Sequence, residues 1–460
     1  ITVGATLNGA KIRQRDTGAL SSFDLILKAD PFTPVINPLV DPSSSNYEYN
    51  KYAPTEWSFD PNPVALLELP DRYNDKLNLF GNVFAQVKLL KGLSYRVQYS
   101  FERNHDVFKN FNPAYESTFS EDNLTTTSGK YLTETQLTNN SSVVSNYSVE
   151  QRLNYNTSFG RSTLDAMVAM TYEKNTSEGI NAFKRGALGN DEIYHVLDAQ
   201  TVGDQTSGGK ETSAMLSYLG RINYSYDDRY LATINFRADG SSRFAKGNRW
   251  GYFPSFSGAW RISEEEFMES THDWLSSLKI RASWGMLGNQ DALNKSNPWE
   301  NQYYPWMQTY NLDGNYPMGG NLTTGYYQKA YRIEDLSWEK STTWGIGLDA
   351  IINHVTFTFD YYDRKTTDII MEVPVPTEFG LDPYFDNVGS MRNRGVEVQL
   401  GYNNKWNDWS LNVMGNMAYN KNKIEDLGGV DRMTNPDDGD LWRFVGKPID
   451  SYYVLSLIHI

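Results

Sequence analysis

The feature that most constrains this chain is a period of two in hydrophobicity, repeated along most of its length. Between residues 78 and 103 apolar and polar residues alternate, the chain turns at Lys91-Gly92, and the alternation resumes at Leu93. Successive side chains of a β-strand point to opposite faces, so this segment predicts a hairpin with one apolar and one polar face. The alternation recurs around residues 164–170, 218–226, 230–236, 256–260, 278–284, 344–350, 355–361, 396–402 and 411–419.

Strand length and connection length separate two all-β interpretations. The strands of a soluble β-sandwich also alternate between apolar and polar residues. The strands predicted here, however, run to about ten residues, which is the length of a tilted strand that crosses a bilayer. The predicted connections also alternate in length. Short ones fall near 91–92, 159–161, 227–229, 353–354 and 404–408, with a moderate one at 263–276; longer ones fall at 104–145, 174–212, 239–250, 287–341, 370–394 and 421–448. Placing the short connections in the periplasm puts every long one outside, as in an outer-membrane barrel.

Aromatic residues mark both ends of the apolar rows. They lie near the short connections at Tyr226, Tyr230, Trp260 and Trp409, and near the long ones at Trp284, Trp344 and Tyr419. Two such bands are typical of the interfacial girdles of a transmembrane β-barrel. The polar rows, which include Arg96, Gln98, Asn223, Asn235 and Gln399, are then expected to line the lumen.

Composition agrees with strands and excludes several other classes. No segment approaches the roughly 20 apolar residues of a spanning helix, and mean hydropathy is −0.57. A net charge of −14 without a basic run argues against a nucleic-acid partner. Cysteine is absent, which excludes disulfides and thiolate chemistry. No signal peptide precedes Ile1, so we expect the chain to be an internal part of a longer protein.

Catalytic and metal-binding motifs find no support, and no catalytic, cofactor-binding or metal-binding residue is predicted. The five histidines are scattered. The glycine-rich segment 203–210 differs from a phosphate-binding loop in its spacing and has Glu211 at the magnesium position, so we interpret it as a flexible outer loop. The acidic segment 435–440 lacks the bidentate glutamate of a calcium loop. The spacing of Ser263 and Glu266 resembles a capping box and predicts a short connecting helix within 263–276.

An aromatic-rich stretch is the candidate ligand-binding region. Residues 297–331 combine many tryptophans and tyrosines with Asn, Gln, Gly and Thr. Aromatic faces stack on sugar rings or pack on peptides, and amides supply directional hydrogen bonds. We predict an extracellular capture loop in which the ligand contacts are Trp299, Tyr303, Tyr304 and Trp306. The alternative is that these aromatic side chains only pack the loop against itself.

Six ordered segments resemble the SusC/RagA-type TonB-linked (TonB-dependent) outer membrane transporters. They are RADGSSRF (237–244), FPSFSGAWRI (253–262), LKIRASWG (278–285) followed by Gly288-Asn289, LSWE (336–339), DYYDRKTTD (360–368) and NVGSMRNRGVE (387–397). The resemblance covers most of residues 77–450, and these segments are strand and turn determinants of the family.

The resemblance implies the architecture of the whole protein. It implies a signal peptide, an N-terminal plug and a barrel of about 22 strands. Residues 1–460 then form a partial barrel domain of about thirteen or fourteen strands, without plug or signal peptide, whose first and last strands do not pair with each other. The final Leu-Ser-Leu-Ile-His-Ile does not continue the family pattern.

The resemblance also implies a function and partners. The expected activity is TonB-dependent import of a bulky nutrient, glycan or oligosaccharide first and oligopeptide second, across a Gram-negative outer membrane. The expected partners are a SusD-like surface lipoprotein, the TonB complex through the missing N-terminal region, and membrane lipid. The alternatives are a passive structural or adhesin barrel, and a soluble secreted β protein.

Overall fold

The computed structural model is dominated by one antiparallel sheet of thirteen strands. It describes residues 1–15, 26–29, 31–38, 40–44, 47–53, 62–116, 131–132, 134–291, 304, 306–307, 310–328, 333–373, 375, 377–381, 384–435 and 438–452. No helix in these ranges is long and apolar enough to cross a membrane. The connection that precedes the second strand contains α1 (Tyr47–Asn50) and α2 (Pro63–Glu68), and residues 26–28 are also helical.

The strands of the described chain are numbered in chain order. They are β1 (Thr2–Arg15), β2 (Asp71–Leu90), β3 (Leu93–Asn112), β4 (Tyr115–Glu116), β5 (Tyr131–Leu132), β6 (Gln136–Phe159), β7 (Ser162–Arg185), β8 (Val202–Tyr226), β9 (Tyr230–Ser241), β10 (Trp250–Arg261), β11 (Leu275–Asn289), β12 (Tyr310–Met318), β13 (Asn321–Gln328), β14 (Glu339–Ile352), β15 (Val355–Val373), β16 (Tyr384–Trp406), β17 (Trp409–Leu427), β18 (Arg432–Asn435), β19 (Asp438–Phe444) and β20 (Ser451–Tyr452). The main sheet has the order β1-β2-β3-β6-β7-β8-β9-β10-β11-β14-β15-β16-β17. The pairs β4–β5 and β12–β13 lie in long connections, and the triplet β18–β19–β20 follows β17.

The predicted alternation of connections is confirmed. Neighbouring strands are joined at one end by tight turns, at 91–92, 160–161, 227–229, 353–354 and 407–408. The long connections lie at the opposite ends of the strands.

Strand length was predicted wrongly. The strands β2, β3, β6, β7 and β8 have 20 to 25 residues, about twice the predicted ten. The apolar row stops at the membrane boundary, but an antiparallel ladder continues wherever both backbones stay extended and satisfy each other's hydrogen bonds. The segment 203–210, predicted as a flexible loop, therefore belongs to β8, where Lys210 lies opposite Glu178 of β7.

The two faces of the sheet differ as predicted. Ile222 on the apolar row is 45% exposed, which is the expected state of a side chain that contacts lipid. Its neighbour Asn223 lies on the polar row and accepts a hydrogen bond from Thr233 Oγ1 at 2.9 Å. Three cavities of about 490, 530 and 470 Å³ are lined mainly by residues of the polar rows. Because cavities form on a concave surface, the polar face is the lumen side.

The sheet is open. Among the described residues β1 pairs with β2 alone and β17 with β16 alone, and no β1–β17 ladder closes the circle. This agrees with the prediction of a partial barrel with two unpaired edges.

The connector 262–274 corrects one local prediction. It forms two 3₁₀ segments, Ile262–Glu264 and Glu266–Thr271, and not an α-helix. The expected capping box is absent, because no side-chain cap is formed and Ser263 Oγ is buried without a hydrogen-bond partner. Glu265 instead accepts hydrogen bonds from Tyr230 Oη at 2.6 Å and Trp260 Nε1 at 3.0 Å. These hydrogen bonds hold the connector against the aromatic band that lies near the short connections.

Candidate functional site

The long connections between β9 and β16 pack together at the outer mouth of the sheet. Their shared core contains Phe244, Phe253, Ile333, Leu336, Trp338 and Ile370. Trp338 Nε1 donates to the backbone oxygen of Arg249 at 2.9 Å. Asn387 joins two more segments, since its amide donates to the backbone oxygens of Ser337 and Asp368. These contacts hold the mouth in one arrangement on this side of the lumen.

A second assembly joins the connections on the other side of the mouth. The ring of His195 stacks on Phe111, with centroids 3.7 Å apart, and its Nδ1 lies 3.1 Å from an Asp71 carboxylate oxygen. Asn190 and Ala114 exchange hydrogen bonds through the Asn190 side chain. Tyr49 Oη donates to the backbone oxygen of Asn190 at 3.2 Å. Three sequence-distant connections are thereby fixed to one another.

Between these assemblies lies a polar cavity of about 490 Å³ on the lumen wall of β3, β6, β7 and β8. Glu102 is its central charged group and accepts hydrogen bonds from Asn104 Nδ2 at 2.9 Å and Asn146 Nδ2 at 3.2 Å. Asn175 in turn donates to Asn146. This chain of amides holds the Glu102 carboxylate at the wall of the cavity, beside the aromatic ring of Phe80.

The rim of the cavity comes from loops. Arg243, in the connection after β9, forms an ion pair with Asp291, which follows β11. Gln290 also lines the cavity, and its Oε1 is buried without a hydrogen-bond partner. A buried acceptor without a partner is expected to bind a donor from water or ligand. The cavity therefore offers both amide donors and acceptors to a polar ligand.

Of the four predicted capture residues, the described chain includes Tyr304 and Trp306. Tyr304 donates its hydroxyl to the backbone oxygen of Thr212 at 2.5 Å, which ties the aromatic loop to the outer part of β8. Trp306 is half-buried, and its Nε1 has no hydrogen-bond partner among the described residues. Trp299 and Tyr303 lie outside the described residues.

The later part of the aromatic stretch forms a projecting hairpin. The strands β12 and β13 carry Tyr316 and Tyr326, which are 65% and 73% exposed. Side chains this exposed do not pack the loop against itself. The aromatic surface of the hairpin is available to a ligand or partner.

The lumen wall below the mouth is a ladder of polar side chains, as the sequence predicted. Arg96 donates to Gln98 at 2.8 Å, Asn235 donates to Ser255 Oγ at 3.1 Å, and Gln399 Nε2 lies 3.2 Å from Met414 Sδ. No group of three His, Cys, Asp or Glu side chains in the described ranges is arranged to hold a metal ion. The calcium candidate 435–440 includes Pro436 and Asp437, which lie outside those ranges.

Sequence reasoning missed Glu102, Asn146, Asn175 and Gln290 as one site. The alternation places the first three on polar rows, but their proximity depends on strand register across three strands. Gln290 joins them because the residues directly after β11 reach the cavity, where Asp291 pairs with Arg243.

Comparison with known proteins identifies the family. The family described as TonB dependent receptor-like, beta-barrel matches residues 30–452. TonB-dependent receptor P3 of Formosa agariphila is 27% identical over 441 residues, covering 93% of this chain and 40% of that protein. TonB-dependent receptor SusC of Bacteroides thetaiotaomicron is 37% identical over 244 residues, covering 52% of this chain and 23% of that protein.

Among solved structures, the RagAB peptide transporter aligns with a TM-score of 0.78 at 22% identity, over 98% of this chain and 48% of that chain. The chain thus spans less than half of the length of these relatives. The relatives are receptors and transporters of the outer membrane, not enzymes. The chain belongs to the TonB-dependent receptor β-barrel family, and it is similar to SusC, as the sequence motifs predicted.

Proposed function

We propose that the full-length protein imports a bulky nutrient across the outer membrane, with energy supplied through TonB. The outer loops and a SusD-like surface lipoprotein capture the ligand, which then passes along the polar lumen wall. The family and the rigidly packed mouth support this proposal. A transporter must hold its ligand at the outer opening before transport, and the cavity at Glu102 lies at that position.

The proposed substrate is a glycan or oligosaccharide, with an oligopeptide as the second candidate. The observation that carries this choice is the set of amide and carboxylate groups in the cavity, with the Gln290 Oε1 acceptor left without a partner. Sugar hydroxyls both donate and accept hydrogen bonds, as side-chain amides do. Exposed tyrosines on the β12–β13 hairpin provide flat faces for the apolar side of sugar rings.

Binding to the purified full-length protein tests the substrate class. A panel of neutral oligosaccharides and a panel of synthetic oligopeptides are compared by calorimetry with the wild type, Glu102→Gln and Glu178→Gln. Glu102→Gln keeps the shape and removes a charged acceptor, so oligosaccharide binding should weaken about tenfold. Glu178→Gln removes the same charge from the outward face of β7 and serves as the control. Binding of peptides without binding of any oligosaccharide would reverse the order of substrates.

The loop is tested separately in cells. Trp299→Ala combined with Trp306→Ala should reduce uptake of the bound oligosaccharide while assembly and heat resistance of the barrel stay unchanged, since both residues belong to the predicted extracellular loop and not to a predicted membrane strand. Unchanged uptake would show that these aromatic side chains only pack the loop against itself. If the coding region upstream of this chain encodes no plug domain, the proposal of active import would be overturned in favour of a passive barrel.

A further inference from the structure

The outward face of β14 to β17 changes abruptly from apolar to basic. Trp344, Tyr361 and Tyr419 form the outer aromatic band on these strands, and apolar side chains such as Phe357, Val398 and Met417 fill the rows nearer the periplasm. Charged side chains begin one outward position beyond this band, about 7 Å along the strand, on β15, β16 and β17, and two positions beyond it on β14, where Thr342 intervenes. The basic patch consists of Lys340, Lys365, Arg392, Arg394, Lys421 and Lys423.

Strand register makes these residues one surface. Arg394 lies opposite Lys421, and Arg392 lies opposite both Lys423 and Lys365. The register is continuous over these pairs, so their side chains share the outward face with Tyr361 and Tyr419. The lumen face of the same strands carries Tyr362, which bonds to Asn420.

A buried carboxylate fixes the centre of the basic patch. The Asp363 side chain is 4% exposed and accepts two hydrogen bonds from Arg392, at 2.8 and 2.7 Å, and one from Arg394 Nε at 2.8 Å. Arg394 bonds Asp363 through Nε alone and remains 53% exposed. Pairing thus orients the guanidinium groups without neutralising the patch.

The basic patch has an excess of positive charge. Its six basic groups face three acidic partners, Asp363, Asp368 and Glu425. Lys421 and Lys423 are exposed and form no ion pair with any described residue. This surface stands out in a chain whose net charge is −14.

The strands β8 to β10 lack this chemistry at the corresponding outward positions. On β8 to β10 the outward positions at the outer end of the apolar rows are Tyr218, Tyr252 and Trp250. All three are uncharged, and Tyr218 stacks on Trp250 with ring centroids 6.0 Å apart. A general need for solubility above the membrane would place charge there as well.

We propose that the basic patch binds the phosphate groups of phosphorylated lipids in the outer leaflet of the membrane. An aromatic band lies at the boundary between hydrocarbon and headgroups, so the residues just beyond it lie at headgroup level. Oriented guanidinium groups bind phosphate oxygens in pairs, and flexible lysines add charge. The lipid would seat beside β14 to β17 and fix the barrel in its leaflet.

Lipid retention by the full-length protein tests the proposal. The protein is purified in detergent and titrated with vesicles that contain lipopolysaccharide lipid A, either phosphorylated or enzymatically dephosphorylated. The test variant is Lys421→Gln with Lys423→Gln, because neither lysine forms an ion pair on which folding depends. The control is Arg221→Gln with Arg364→Gln, which removes the same charge from the lumen face. Heat-modifiable mobility confirms that both variants fold.

We expect the patch variant to bind phosphorylated lipid A at least about tenfold more weakly than the wild type, from two lost surface charges. The control should bind like the wild type, and added salt should reduce the difference between them. Equal binding of phosphorylated and dephosphorylated lipid would overturn the proposal, as would equal loss in both variants. Displacement of the lipid by millimolar inorganic phosphate would show a site for free phosphate instead.

Discussion

At the residue scale, the face of each side chain decides what a charge does there. Ile222 is mid-strand on the lipid face, and Asn223 is its neighbour on the lumen face. Ile222→Arg should therefore destabilise the full-length barrel by about 2–4 kcal/mol, whereas Asn223→Arg should be far milder. Unfolding by urea in lipid vesicles measures both. Equal losses of stability would contradict the assignment of the two faces.

Glu265 provides a pH dependence at the periplasmic edge. Hydrogen bonds from Tyr230, from Trp260 and, more weakly, the charge of Arg229 lower the pKa of Glu265 below its usual range. Because the pKa is lower in the folded protein than in the unfolded chain, this carboxylate stabilises the fold above its ordinary pKa. The stabilisation is lost as the pH falls through the lowered value.

The Glu265→Gln variant tests this dependence. It should lose part of the decline in thermal stability that the wild type shows between neutral pH and pH about 3. Glu264→Gln is the matched control, because Glu264 is exposed and makes no hydrogen bond within the described chain. Identical pH profiles for the wild type and Glu265→Gln would show that the contact contributes nothing.

At the element scale, turn geometry fixes strand register. Gly92 has φ +80°, and a Cβ there would lie 2.1 Å from the backbone oxygen of Asn156 on β6. Gly160 has φ +59° but faces open space. Gly160→Ala should cost about 1 kcal/mol, from backbone strain alone, and Gly92→Ala about 3 kcal/mol, because the turn must also move away from β6. Denaturant titration of both variants separates strain from the clash.

The elements that the sequence predicts well are those in which lipid enforces the alternation. Leu164 to Met170 and Tyr218 to Tyr226 show the two-residue period because water and hydrocarbon lie on opposite sides of the sheet. Above the membrane that constraint ends, so the outer half of β8, with Gly208 and Lys210, has no pattern that separates strand from loop. Its pairing with β7 follows from tertiary context.

The candidate site was predictable only in part for the same reason. Tyr304 and Trp306 are visible as an aromatic cluster in one stretch of sequence. Glu102 on β3 and Gln290 just after β11 are six strands apart in the sheet order and yet line the same cavity. No local signal in the sequence predicts that they share it.

At the scale of the whole molecule, loop packing and sheet curvature define the function together. The two loop assemblies are built from buried contacts such as Phe244 with Trp338 and Phe111 with His195. They lie above a polar wall, while the opposite face of the sheet carries the apolar band. In the proposed import, a ligand that enters between them would meet the hydrogen-bonding groups of that wall.

The two edges of the sheet determine whether this chain can exist alone in a membrane. β1 (Thr2–Arg15) and β17 (Trp409–Leu427) each have one strand neighbour among the described residues. Each unpaired N–H or C=O group in hydrocarbon costs several kcal/mol, and open edges in water pair with other chains. We therefore expect residues 1–460 produced alone to aggregate, whereas the full-length protein inserts as a closed barrel. Electrophoretic mobility before and after boiling distinguishes them, because a folded barrel migrates differently until it is heated. A monomeric, heat-modifiable species formed by residues 1–460 would show that the two edges find partners within the chain, and would contradict the open sheet.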